Sequence, residues 1–510
     1  MTDFPWLTTL ALVPLVGSLV VAALPVAREL LAKQVALGFS LVTLVLTIAM
    51  SLQFDPDSKD AFQFTELHEW IPQFGVSYSL GVDGIALVLI AMATVLTPVC
   101  ILASWHDVEP GRRSVKSYFA LLLVLETAMI GVFAATDVFL FYVLFEAMLV
   151  PMYFIIGSYG GAQRSYAAVK FLLYSLLGGL LMLAAVIGLF VVSDGGPQAF
   201  LFENMLGTEM STGTERLLFL GFFIAFAIKA PLFPVHTWLP DAAAESPPGG
   251  AVLLVGVLDK VGTFGMIRFC LPLFPDATRW ATPAVITLSV IGILYGALLA
   301  IGQTDIKRLI AYTSISHFGF IVLGIFATTT QSQSGATLYM VNHGFSTAAL
   351  FLIAGFLISR RGSRLIPDYG GVQKVAPMLA GTFLVAGLSS LALPGLSSFV
   401  SEFLVLVGTF SRYEVAAVLA TGGIILASLY ILLMYQRTMT GEPTEHTARF
   451  ADLNLREAWV VAPLIAVIIA LGFYPKPLLD VINPAVERTM QQVGATDPRP
   501  AVPAAEGRAE

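Results

Sequence analysis

Nine side chains able to carry charge stand inside apolar stretches of this 510-residue chain: Glu126, Asp137, Glu146, Lys229, Asp259, Lys260, His317, His343 and Glu402. A central acid or lysine costs roughly 2.5–3.5 kcal/mol on membrane-insertion scales, so each needs a partner or a task. Their types point to proton chemistry. Burial changes how readily a lysine gives up its proton, and an approaching carboxylate changes it back. A Glu146–Lys229 pair that opens and closes would therefore load and release a proton on Lys229. The competing reading is structural, with the same residues forming buried ion pairs that fix helix packing.

Placement favours a relay. Glu146 falls near the centre of one apolar run, Lys229 just before two prolines, and Lys260, His317 and His343 midway along three later runs. Glu402 follows Pro394-Gly395. Thr313, Ser316 and His317 share a helical face by spacing, as do Asn342 and Ser346, and such faces can order water. Asp137 reads equally as a helix N-cap. Asp259 adjoins Lys260 but diverges from it by about 100°, so it need not touch the relay. In HTWLPDAAAESP (236–247), His236, Asp241 and Glu245 could line a proton-uptake path, or the segment could be a well-packed turn punctuated by Pro240 and Pro247.

The elements that must hold these groups are membrane helices. Hydrophobic residues make up 57% of the chain and charged residues 12%, about half the usual charged fraction. Apolar runs recur at the length that crosses a hydrocarbon core of about 30 Å. The expectation is an all-α, multi-pass membrane protein with about fourteen spans. The seventh (215–239) is interrupted by Pro231 and Pro234, and the twelfth (376–411) by Pro394-Gly395. Broken helices in corresponding places suggest an inverted repeat. The expected divisions are 1–115 (helices 1–3), 116–271 and 283–436 (two inverted five-helix units), 437–480 (helix 14) and 481–510 (a polar tail, disordered after Pro498).

Other classes are excluded or disfavoured. Cys100 and Cys270 are too few for an iron–sulfur cluster or a zinc site. The glycine pairs form no nucleotide-binding loop, and no metal or cofactor is expected in this chain. A net charge of −7 without a basic stripe argues against nucleic acid. No cleavable signal peptide is expected, since no Lys or Arg precedes the first apolar run. Arg and Lys concentrate in alternate loops, including Arg112–Lys116 and Arg360–Arg364, which puts those loops in the cytoplasm and both termini outside.

Four stretches carry a family resemblance. LETAMIGVFAATDVFLFYVLFEAMLVPMYFIIGSYGG (125–161), KAPLFPVHTWLPDAAAESP (229–247), LPGLSSFVSEF (393–403) and GVDGIALVL (81–89) resemble segments of the M-type antiporter-like subunits of proton-pumping NADH:quinone oxidoreductase, respiratory complex I. The likeness covers essentially residues 1–480. A carboxylate at 402, where L-type, N-type and Mrp relatives typically carry lysine, and a chain ending soon after helix 14 both favour the M type. The resemblance implies a modulating ion pair of Glu146 and Lys229, Lys260 as central transfer residue, His317 and His343 as connecting stations and Glu402 as exit residue. Glu126 and Asp137 match acidic positions of less defined role. It implies a proton-translocating subunit in a bacterial cytoplasmic membrane, driven by quinone reduction elsewhere. Flavin, iron–sulfur clusters and quinone would belong to other subunits, and the partners would be membrane-arm subunits including L-type and N-type ones. The alternative is an Mrp-type cation/proton antiporter component without redox coupling.

Overall fold

The computed structural model describes residues 4–108, 113–193 and 195–498. Twelve helices among them are long and apolar enough to cross a membrane. In chain order they begin with α1 (Trp6–Ala23) and α2 (Glu29–Ser51). Next come α3 (Gly84–Ala103) and α4 (Val115–Ala134), and then the pair α5 (Val138–Ala147) and α6 (Leu149–Tyr159), which together make one span interrupted at Met148. α7 is Arg164–Val192. After the broken segment α8 (Thr212–Lys229) and α9 (Leu239–Glu245) comes α10 (Pro248–Leu273). α11 (Pro275–Ile301), α12 (Ile306–Phe326) and α13 (Thr330–Arg361) follow. The second broken segment is α14 (Pro377–Ser390) and α15 (Ser397–Phe410). α16 (Glu414–Met439) and α17 (Leu455–Phe473) complete the twelve, and α18 (Lys476–Val493) closes the described chain. The two expected spans not among the twelve are the interrupted seventh and twelfth.

Caps start the helices where the sequence turns polar. Asp83, Ser114, Asp137 and Ser211 each accept a backbone N–H in the first turn of α3, α4, α5 and α8. Asp305 accepts from Lys307 and Arg308 at the start of α12. Thr329–Ser332 and Asn454–Glu457 form reciprocal capping boxes that open α13 and α17. Gly362, with φ at 72°, ends the 32-residue α13 in the left-handed conformation that glycine adopts without penalty.

Burial is graded rather than uniform. In α10, α12 and α13 the most apolar 18-residue window is 100%, 94% and 94% buried, against 33%, 28% and 28% in α1, α2 and α17. The first three helices therefore form the centre and carry Lys260, His317 and His343. The outer helices present Leu, Val and Ile outward, including Leu19, Val45, Leu173 and Ile425. Such a surface suits lipid tails.

Three features depart from the sequence expectation. The 53–83 loop holds an antiparallel hairpin, β1 (Gln63–Ile71) and β2 (Val76–Val82), whose inner strand is almost entirely buried. Asp83 then bonds Arg268 of α10 at 2.7 Å and so anchors the hairpin to the centre. α10 is widened by π-helical segments at Leu254–Leu258 and Met266–Cys270. Finally, residues 481–493, assigned to a polar tail, continue α18 and bury Ile482, Ala485, Val486, Met490 and Val493 on one face. Their apolar residues recur at helical period between charged ones, which composition alone registers as a tail. The disorder expected after Pro498 lies outside the described residues, as does Arg112.

Candidate functional site

Lys229 is the last residue of α8. Pro231 and Pro234 lack the N–H groups that would continue the helix, so the chain turns away. Trp238 Nε1 donates to the Ile228 carbonyl at 2.9 Å, and the Leu232 amide donates to Ala227 O at 2.9 Å. The break is thus stitched without using the lysine. Its ammonium is buried, has no hydrogen-bond partner, and lies 5.2 Å and 5.6 Å from the ring centroids of Phe145 and Phe171.

Glu146 stands on α5 next to Phe145, half-buried, with its carboxylate against Gly179 of α7. A Cβ at residue 179 would sit 1.7 Å from Glu146 Oε1, so glycine makes room for the acid. Glu146 and Lys229 are within electrostatic reach of each other but form no salt bridge. Glu126 of α4 is wholly buried, and neither of its oxygens has a protein partner. Asp137 is committed to backbone: its carboxylate accepts from Leu140 N and from Ser77 N of the hairpin, both at 2.9 Å. That is the N-cap geometry, extended into a link between β2 and α5.

A linked set of polar side chains lies on α10, α12, α13 and α15. Lys260 Nζ donates to Val255 O, in the first π segment, at 2.6 Å and stands 2.6 Å from His343 Nδ1. The His343 and His317 rings are 5.3 Å apart between centroids, at 87°. His317 is in turn 5.7 Å from the Tyr339 ring, and Tyr339 Oη donates to Glu402 Oε2 at 2.9 Å. All five residues are buried. His343 Nε2 and His317 Nδ1 have no protein partner. Buried polar atoms left this way call for water or a mobile proton.

A second polar cluster flanks the break between α14 and α15. Ser346 Oγ lies 2.7 Å from Ser389 and 3.2 Å from Ser398, and Ser389 is 3.3 Å from Ser397. Asn342 Nδ2 donates to Ser397 O at 2.7 Å and to Ser401 Oγ at 3.1 Å. Thr313, by contrast, bonds back to Leu309 O, and Ser316 bonds Ile293 O. Tyr339 and the serines of 389–401 escaped the sequence reading. The signal for Tyr339 was its place four residues before His343 on one helical face.

At the opposite face from the hairpin, the 236–247 segment is tied by ions. Asp241 meets Lys170 at 2.8 Å and Arg308 at 2.6 Å. Glu245 meets Arg364 at 2.8 Å, which reaches Asp305 at 2.6 Å. Burial works against the Asp241 anion, yet hydrogen bonds from Lys170 and Arg308 hold its carboxyl below the usual carboxylate range. His236 is buried between Phe233 and Tyr295, and its Nδ1 has no partner. Cys100 and Cys270 are free and buried, and no group of three metal-ligating side chains occurs among the described residues.

The family described as "NADH:quinone oxidoreductase/Mrp antiporter, TM" matches residues 135–427. NADH-quinone oxidoreductase subunit M of Mycobacterium tuberculosis is 54% identical over 537 aligned residues, spanning 98% of this chain and 97% of that protein. A chain of respiratory complex I from Thermus thermophilus with bound NADH superposes with a TM-score of 0.87 at 31% identity, over 96% of this chain and 100% of its own. A chain of the Mrp complex from Dietzia sp. DQ12-45-1b gives 0.85 at 22% identity over 97% of this chain and 100% of its own, a likeness of fold. By sequence along nearly its whole length and by fold, the chain belongs to the M-type antiporter-like membrane subunits of NADH:quinone oxidoreductase.

Proposed function

We propose that the chain moves protons across the bilayer as a non-redox, translocating subunit, driven by quinone reduction elsewhere in its complex. The observation that carries this reading is the buried line from Lys260 through His343, His317 and Tyr339 to Glu402, closed at each end by a contact of 2.6 Å or 2.9 Å. Proton transfer needs donor and acceptor about 2.6–3.2 Å apart or joined by one water. The Lys260–His343 contact meets that condition with the proton on either nitrogen. Glu146 and Lys229 form a pair whose opening and closing loads Lys260, and Glu402 releases the proton. Asp137 holds α5 in place through its bonds to Leu140 N and Ser77 N.

The complex I reading is favoured over an Mrp-type antiporter by the carboxylate at 402 and by the higher identity to the complex I chain than to the Mrp chain, 31% against 22%. The two five-helix units, 116–271 and 283–436, are inverted repeats. L-type and N-type subunits flank the chain, and flavin, iron–sulfur clusters and quinone reside in other subunits. Both termini face outward from a bacterial cytoplasmic membrane.

Complex carrying Lys229→Ala or Lys260→Ala, purified and reconstituted in vesicles, is expected to lose most ΔpH formation while assembling in normal amount. Normal pumping by both variants would overturn the relay. In cells, an impermeant thiol reagent applied outside should label a cysteine placed at Glu69 and none at Ser363, and the reverse pattern would invert the orientation.

A further inference from the structure

Asp259 is fully buried, and neither carboxylate oxygen has a hydrogen-bond partner. An isolated buried carboxylate is among the most costly groups a protein can hold, so it must be protonated or face a cation. Its direction follows from the helix. Asp259 and Gly262 are three residues apart and share a face of α10. A Cβ on Gly262 would lie 2.5 Å from Phe226 O and 2.6 Å from Ala230 N, so that face is pressed onto the turn of α8 that carries Lys229. Lys260, about 100° around the helix, points to His343 on α13 instead. Lys229 from α8 and Lys260 from its own helix are the charged groups whose fields reach Asp259.

Resting on the relay reading above, we infer that Asp259 is the proton station connecting Lys229 to Lys260. In the first step the Lys229 ammonium gives a proton to the Asp259 carboxylate, leaving a neutral amine and a neutral acid. In the second, the acid passes that proton to the neutral Lys260 amine, restoring the carboxylate beside a new ammonium. At each stage Asp259 is either neutral or beside a cation. The line from Lys260 to Glu402 is then fed by residues on both helices of the α8–α10 contact.

The test uses the whole complex in vesicles, with pumping per NADH oxidised followed across pH. Asp259→Asn keeps the shape and removes the proton site, and pumping should fall by about a hundredfold or more, within the range general acid–base groups supply. Asp259→Glu should restore most of it with a displaced pH profile. Pumping by Asn equal to wild type would overturn the station. If Asn does not assemble, an unchanged pH profile in Glu would do the same. Loss of pumping in Lys229→Ala and Lys260→Ala with normal pumping in Asp259→Asn would sink this inference alone. Normal pumping in all three would sink the relay with it.

Discussion

Between His317 and the terminal carboxylate stands a phenol, and its chemistry differs from that of its neighbours. A tyrosine hydroxyl gives up its proton only near pH 10 in water, so Tyr339 is a poor store, but it can accept one proton while donating another. Tyr339→Phe keeps the ring against His317 and deletes the Oη that reaches Glu402 at 2.9 Å. Pumping is expected to fall about tenfold, the rate cost of about 1.4 kcal/mol, with the complex assembled in normal amount. In the same vesicle assay Glu402→Gln should be inactive and Glu402→Asp partly active. A Phe variant that pumps normally would return Tyr339 to a packing role. The sequence exposed Lys260, His343, His317 and Glu402 because charge inside an apolar run stands out. It hid Tyr339 because an aromatic in such a run reads as filling. It also hid the Lys260–His343 contact, which joins residues 83 apart.

The helices matter through their flaws. Both predicted interruptions occur, between Lys229 and Leu239 around Pro231 and Pro234, and between Ser390 and Ser397, where Ala392 and Gly395 take positive φ beside Pro394. The π segments of α10 carry no such mark, because they follow from how the helix meets its neighbours. The hairpin was missed because β1 is largely exposed and shows little apolar alternation. Gly262 tests the α8–α10 contact directly. Gly262→Ala would force a methyl onto the Phe226 carbonyl and the Ala230 amide, costing about 1–3 kcal/mol as overpacking does. Thermal denaturation of the purified complex should shift downward. Gly381→Ala, with nothing within 4 Å, should leave it unchanged. Equal behaviour of the two would show that the close approach bears no load.

Across the whole molecule the two faces are fastened by different means. On the hairpin face, α18 lies across the bundle like a strap. Arg279 donates to Val493 O, Arg488 to Asp60 O and Ser334 to Asn483, while the apolar face of α18 packs inward. On the other face, the 236–247 segment is held by part-exposed ion pairs of Asp241, Glu245, Lys170, Arg308 and Arg364. Dissolved salt therefore distinguishes the two. Raising ionic strength from about 0.1 M to 1 M shortens the screening length from about 10 Å to 3 Å, which weakens the ion pairs and leaves apolar burial intact. Acid acts on the same side. The Asp241 carboxyl is held below its unfolded value, so its stabilisation is present above that value and is lost as pH falls through the folded one. Hydrogen exchange of the complex in 1 M salt should quicken at 236–247 and stay unchanged at 476–493, and equal changes at both would refute the distinction. One face of the membrane unit is thus held by charge and answers to the electrolyte that bathes it, while the other is held mainly by apolar burial.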